Sequence, residues 1–380
     1  MKMFVHKMYL IIGSIAVFII LIQLVITTNP ALPAQAADNV LRPLIGSQKT
    51  IDLESFYFSL NDQIDKVTYN YKKPSADIFT SSLLGSSEQE RSISTNSAMS
   101  TTNIAIQNSF PPLPQEGIWL PIDNTLFPNE TVLARTFIRP DTSRSYAIVS
   151  LVKMNMKKLN IGLQAGTYYP GGPKGIFGPG YIPKSILQSN SLIAAFNGGF
   201  MEKDGHYGMI IGNKTYVPLR NNLATLLVLA DGSAQIIDYQ GQTLPMNVVG
   251  IRQNGAFLVH NSLVTSFVES DSDTWGRTTT NSMYTWRSGI GITKSGDLIY
   301  AVGNSLIPAT LANALKSAGA IEAMQLDINP YWVRYILYTS LGKGNYSYIP
   351  LLTNMQQNGG YSYIHSYNKD FFYIYTKPSS

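Results

Sequence analysis

Three short polar turns, Asp231-Gly232, Asn254-Gly255 and Ser295-Gly296-Asp297, each stand between two apolar runs. Asp-Gly and Asn-Gly favour the positive φ angles of tight hairpins. NLATLLVLADGSAQIIDYQ, VGIRQNGAFLVHNSLV and SGIGITKSGDLIYAVGN therefore predict three hairpins. AIVSLVKM (147–154), KLNIGLQAG (158–166), ILYTSLGKGNYSYIPLL and DFFYIYTK predict further strands. One helix interrupts the pattern. PATLANALKSAGA (308–320) places Leu311, Ala314, Leu315 and Ala318 on one face, with Pro308 at its start, Lys316 near its negative end and Gly319 as its stop. The strand AIEAMQL (320–326) follows. The expected fold class is α+β, mostly antiparallel sheet built from hairpins with a few packed helices.

The N-terminus obeys a different rule. Lys2 and Lys7 precede nineteen uncharged residues, Met8–Ile26. At about 1.5 Å per residue these span roughly 28 Å, one hydrocarbon core. The flanking lysines predict a cytoplasmic tip, a single membrane span over 1–27, and everything after it outside the cell. Ala34-Gln35-Ala36 resembles a signal-peptidase site, so cleavage and secretion is the alternative. Residues 28–116 are expected to form a stalk. Half of residues 80–110 are Ser, Thr or Asn, a composition too poor in apolar groups to offset chain entropy. A globular domain is expected over 117–380.

Only 13% of residues are charged, against about 25% in ordinary soluble domains, and there are 23 tyrosines. Such a surface relies on neutral polar groups and suits contact with sugars. The net charge is +5, but the basic residues are scattered, which argues against nucleic acid as a partner. Cysteine is absent, and histidine occurs only at 6, 206, 260 and 365. Neither a thiol nucleophile nor a Cys- or His-rich metal site is expected, and no cofactor motif is present.

Three segments carry groups suited to chemistry. In LIAAFNGGFMEKDGHYG (192–208) an apolar strand runs into Asn197-Gly198-Gly199-Phe200, with Glu202 and His206 just beyond. Paired glycines admit positive φ or close approach of a ligand to the backbone. The same residues also suit a tight turn with solvated charges. In TWRSGIGI (285–292), Arg287 offers a planar fork for phosphate or carboxylate oxygens, or for a structural salt bridge. In IEAMQLDINPYW (321–332), Asp327 ends an apolar run; it either caps a turn with Asn329-Pro330 or stands at the mouth of a site.

Together these segments carry a resemblance. NGGF, VGIRQNGAFLVHN, RSGIGITKSGDLIYAV and LANALKSAGAIEAMQLD occur in the order seen in the phosphodiester glycosidase family. The resemblance covers roughly 117–375 and is sharpest from 192 to 327. It implies hydrolysis of a sugar-1-phosphodiester in a cell-surface or exopolysaccharide glycan, with a carbohydrate or sugar-phosphate polymer as partner. It implies Asp327 at the anomeric side, Arg287 on the phosphate, and Asn197 orienting a sugar hydroxyl or water. Gly198, Gly199, Glu202, His206, Asn329 and Trp332 would line the substrate. The family's closing Asp-Gly-Gly-Gly-Ser is replaced here by Asp327-Ile328-Asn329-Pro330-Tyr331. Pro330 has no N–H to offer an anion. A polysaccharide-binding module on the same fold, stacking sugars on Tyr331 and Trp332, is the alternative.

Overall fold

The computed structural model describes residues 40–71, 78–83, 101–106, 110–172, 175–269, 275, 284–328, 330–355 and 363–377. The expected membrane span, the Ala34-Gln35-Ala36 site, the middle of the expected spacer (84–100) and Asn329 lie outside the described residues. Among the described residues no helix is long and apolar enough to cross a membrane. The chain divides into two units, Met1–Glu54 and Ser55–Ser380. The described part of the first is a helical turn, Arg42–Ile45, and the start of helix α1, Ser47–Tyr71, within which the boundary falls.

In the second unit one face of α1 carries Phe58, Asp62, Asp65 and Tyr69, spaced four, three and four residues apart. Residues at such spacing lie one above another on a helix. Each finds a partner in the sheet domain: Phe58 packs on Phe200, Tyr207 and Ile328, and Asp62 pairs with Arg144. Asp65 accepts from Asn304 and Ser305, and Tyr69 from Arg139.

Among the described residues, eighteen strands follow α1. The first group is β1 (Leu120–Pro121), β2 (Leu133–Ile138), β3 (Val149–Met154), β4 (Leu159–Gln164), β5 (Leu192–Asn197), β6 (Met209–Ile211) and β7 (Lys214–Val217). Next come β8 (Leu223–Leu229), β9 (Ala234–Tyr239), β10 (Val248–Gln253), β11 (Phe257–His260) and β12 (Leu263–Val264). The last are β13 (Thr285–Thr293), β14 (Leu298–Leu306), β15 (Ala320–Ile328), β16 (Tyr335–Gly342), β17 (Asn345–Pro350) and β18 (Phe371–Thr376). Helix α2 (Lys184–Gln188) precedes β5, and α3 (Pro308–Ser317) links β14 to β15.

The strands form three sheets, ordered β1-β2-β3-β14-β13-β15-β11-β12, β7-β6-β10-β8-β9 and β17-β16-β5-β18-β4. The pairing is antiparallel, as the sequence predicts; β8–β9 and β13–β14 are the expected hairpins. The middle one is not. β10 pairs with β6 and β8, whereas β11 pairs with β12 and β15, so Asn254-Gly255 carries the chain from one sheet into another. A turn dipeptide fixes local backbone conformation, not which edge the next strand joins.

The largest core gathers all three sheets, with Val152, Tyr300 and Met324 from the first, Leu226 and Ile236 from the second, and Phe196, Leu337 and Phe372 from the third. Helix α3 covers the other face of the eight-stranded sheet through Leu311, Ala314 and Leu315. Gly289 permits that approach: a Cβ there would stand 3.1 Å from Leu315 Cδ1. β13 is therefore buried along both faces.

The compact unit also starts ahead of the expected 117. Phe79 is in the main core and bridges to Leu352, and Ile104 is buried with its N–H on Gly117 O at 2.8 Å. Single apolar residues inside a polar run anchor its ends to the domain, although composition alone assigns the whole run to a spacer.

Candidate functional site

The ends of β5, β13 and β15 meet where two sheets abut. Asn197, the last residue of β5, is 3% exposed, and all four hydrogen-bonding positions of its amide are taken. Nδ2 donates to Gly198 O (3.0 Å) and Ser288 Oγ (2.9 Å), while Oδ1 accepts from Tyr300 OH (2.8 Å) and Arg334 N–H (3.0 Å). Ser288 Oγ in turn donates to Asp327 O (2.8 Å), and Asp327 N–H donates to Gly198 O (3.0 Å). Asn197 is thus a pin between two sheets, with no capacity left over for a sugar hydroxyl or a water.

Asp327 lies inside β15, not after its end, and is 3% exposed. Between Arg287↔Ile328 and Gly289↔Gln325 the register slips, two residues of β13 facing three of β15. Such a bulge re-aims a side chain. Gln325 and Asp327 would share a face of a regular strand. Instead Gln325 meets Arg287, whereas the Asp327 carboxylate meets the ammonium of Lys369. Asp327 Oδ1 also accepts from Ile328 N–H at 2.9 Å.

Lys369, 2% exposed, stands 4.6 Å from the centre of the Trp332 ring. Burial pushes its ammonium down to about 7; Asp370 and Asp204 oppose the shift, and so must Asp327 in direct contact. Asp370, its neighbour, pairs with buried Arg252: Nε donates to Oδ2 at 2.8 Å, and Oδ2 also accepts from Gly199 N–H at 3.1 Å. Arg252 closes the group by donating to Phe200 O (2.6 Å) and Gln253 O (2.7 Å). Asn254 clamps the same segment to β15, accepting from Phe200 N–H (2.9 Å) and donating to Gln325 O (2.8 Å).

This explains the paired glycines. Neither has a positive φ. A Cβ on Gly198 would lie 1.9 Å from Asp370 Oδ2, and one on Gly199 would lie 2.9 Å from Asn254 Oδ1. The backbone is crowded by the protein's own side chains.

Arg287, 1% exposed, points away from this group. Successive strand residues face opposite sides, and Ser288 faces Asn197. The Arg287 guanidinium donates to Leu306 O (2.9 Å), Trp275 O (2.8 Å) and Gln325 Oε1 (2.9 Å). Burial lowers it to about 9. The cation beside Asp327 is therefore Lys369, and Arg287, which the family resemblance assigns to the phosphate, is directed elsewhere. Glu202 and exposed His206 bond to each other after the short turn Glu202–Asp204. They are not in contact with Asp327, although Asp204 acts electrostatically on Lys369. Trp332 is half-buried among Tyr169, Tyr331 and Lys369.

Strand order, the NGGF crowding and the Asp327 bulge all fall within one segment of the chain. Residues 190–327 match the phosphodiester glycosidase family. The matched segment contains Asn197, Arg287 and Asp327, and stops short of Trp332 and Lys369. No curated protein matches the sequence. Among solved structures, the chain is similar to the zebrafish N-acetylglucosamine-1-phosphodiester alpha-N-acetylglucosaminidase catalytic domain auto-inhibited by pro-peptide. There the identity is 16%, the match covers 66% of this chain and 85% of that one, and the TM-score is 0.42. A hypothetical protein from Synechocystis is similar at 13% identity, over 64% of this chain and 62% of its own, with a TM-score of 0.34.

Lys369, Asp370, Arg252, Ser288 and Asn254 were not anticipated as members of the group. One signal was present: Lys369-Asp370 stand directly before the apolar run FFYIYT, two charges at a strand start as Asp327 is one at a strand end.

Proposed function

We propose that the domain hydrolyses sugar-1-phosphodiesters, with Asp327 and Lys369 as the working pair. The observation that carries this is the Asp327–Lys369 ion pair beside the Trp332 ring, at the end of a segment matching the phosphodiester glycosidases. In a sugar-1-phosphodiester the leaving group is already an anion. The demands on the protein are to hold that phosphate and to stabilise positive charge at the anomeric carbon. In this reading the substrate phosphate takes the Lys369 ammonium and releases the Asp327 carboxylate. Asp327 then faces the anomeric carbon as nucleophile, base or electrostatic stabiliser. The bond from that carbon to the phosphate oxygen breaks, its electron pair leaves with the phosphate, and water supplies the new hydroxyl. Trp332 offers a ring face to the sugar. Asn197 and Arg287 act as positioning residues, fixing β5 and β15 around the carboxylate.

The natural substrate in this reading is a glycan outside the cell, with the apolar segment 8–26 as membrane anchor. The test uses the full chain with aryl- and UDP-linked sugar phosphodiesters. Asp327→Asn is expected to lower kcat by about a hundredfold or more. Equal turnover in the two proteins removes Asp327 from the mechanism.

One observation favours a second reading, a polysaccharide-binding module. Asp327 and Lys369 are 3% and 2% exposed and already neutralise each other, so the pair is closed to solvent in this structure. Saturable binding of a polysaccharide without release of reducing sugar would select it.

A further inference from the structure

A cleft of about 260 Å³ opens between α1 and the β13–β14 region, and it shares no residue with the Asp327 group. Tyr69, Tyr146 and Trp286 bring aromatic rings to it; Asp65, Asn304 and Asn354 bring polar groups. Among the described residues lining it there is no lysine or arginine. We propose that this cleft is a binding site for a neutral sugar unit of a polysaccharide, separate from the Asp327 site.

The chemistry of the lining selects the ligand class. A phosphate or uronate would find a carboxylate and no cation among the described lining residues; the guanidiniums behind Tyr69 and Tyr146 are already paired, Arg139 with Glu116 and Arg144 with Asp62. A wholly apolar ligand would press on the Asp65 carboxylate and the Asn354 amide, at a cost in desolvation. A neutral pyranose satisfies both halves: its C–H face stacks on aromatic rings and its hydroxyls meet carboxylate and amide groups. The volume lies just below the roughly 300–1,000 Å³ of pockets for drug-sized ligands, which fits one or two sugar rings.

The site is also held in shape before any ligand arrives. Asp65 Oδ2 accepts from Asn304 Nδ2 and from Ser305 Oγ, each at 2.7 Å. Tyr146 OH donates to Asp62 Oδ2 at 2.9 Å, and Tyr69 OH accepts from Arg139 at 2.9 Å. The Tyr69 and Tyr146 rings lie 6.5 Å apart at 53°. Groups already fixed lose little freedom on binding. Burial pushes the Asp65 carboxyl up from its usual range, and the hydrogen bond from Ser305 opposes that shift.

The experiment is calorimetric titration of the full chain with neutral oligosaccharides (cello-, chito-, malto- and β-1,3-gluco-series), with oligogalacturonate and inorganic phosphate as anionic probes. At least one neutral series is expected to saturate at micromolar to millimolar concentration. Asn354→Trp, a change at an exposed rim position, is expected to weaken it tenfold or more with an unchanged thermal midpoint. Asn304→Ala is expected to weaken it as well. Binding is expected to persist in Asp327→Asn, which separates this site from the hydrolytic reading. The proposal is overturned if no neutral series binds, if Asn354→Trp leaves binding intact, or if the anionic probes compete with the neutral sugar in the wild type but not in Asn354→Trp.

Discussion

Lys369 holds the carboxylate of Asp327 across 42 residues of sequence, and both side chains are buried. Removing one partner of a buried pair leaves a charge with no counterpart, at a cost of about 3–5 kcal/mol. Lys369→Met and Asp327→Leu are each expected to lose stability of that order in urea denaturation. The double variant is expected to recover most of it, because two apolar side chains leave no charge behind. Additive losses would mean that the two residues are not coupled in solution.

The same lysine predicts a dependence of stability on pH. Its folded-state value is lowered to about 7, from the ordinary 10.5 that applies in the unfolded chain. Between those values the unfolded chain binds the extra proton, so the unfolding free energy rises with pH. Burial therefore destabilises the fold most at pH below about 7 and is relieved above it; contact with Asp327 narrows the window from below. The difference in stability between wild type and Lys369→Met is the quantity to follow, from pH 6 to pH 9.5. It should rise with pH. A flat difference would place Lys369 near its ordinary value, held there by Asp327. Readings above pH 10 are confounded by Tyr300 and Tyr335, which burial holds protonated in the fold only.

The Gly198 prediction separates two explanations of NGGF. If the glycines served only to turn the chain, alanine would be tolerated, since neither has a positive φ. Because a Cβ at Gly198 would meet the Asp370 carboxylate, Gly198→Ala is expected to displace Asp370 from Arg252 and to cost about 1–3 kcal/mol. Thermal unfolding measures it. A neutral substitution would show that Asp370 has room to move aside.

Much of the sheet is legible because strand and turn signals are local. β8, β9, β13, β14 and α3 follow from periodicity and Gly-containing turns within twenty residues. The register slip in β15 is not local: it is set by β13 on one side and by Gly198 O on the other. Without it, period-two alternation would put Asp327 on the face of Gln325 and hence towards Arg287, the residue that the family resemblance groups with the carboxylate. Lys369 follows the region that motif order makes visible, and only the pairing of β18 with β5 brings it to Asp327. The face of α1 that meets the domain was obscured because Phe56, Leu60, Ile64 and Val67 are apolar yet exposed, so hydrophobicity does not distinguish its two sides.

Arg287 supplies the sharpest test of which cation serves the phosphate. Its guanidinium spans Leu306 O, Trp275 O and Gln325 Oε1, joining the ends of β13, β14 and β15. Lysine keeps the charge and cannot reproduce the planar fork. Charged hydrogen bonds contribute about 1.5–3 kcal/mol each, so Arg287→Lys is expected to lower stability by about 2–4 kcal/mol. If the arginine only positions strands, KM for a sugar phosphodiester stays near the wild-type value in the folded fraction, and any loss falls on kcat through misplacement of Asp327. If it binds phosphate, KM rises by tenfold or more while the thermal midpoint holds. The geometry favours the first outcome, with the KM effect appearing instead in Lys369→Met. An unchanged KM in Lys369→Met together with a raised one in Arg287→Lys would return the phosphate to Arg287 and require β13 to rotate that side chain on binding.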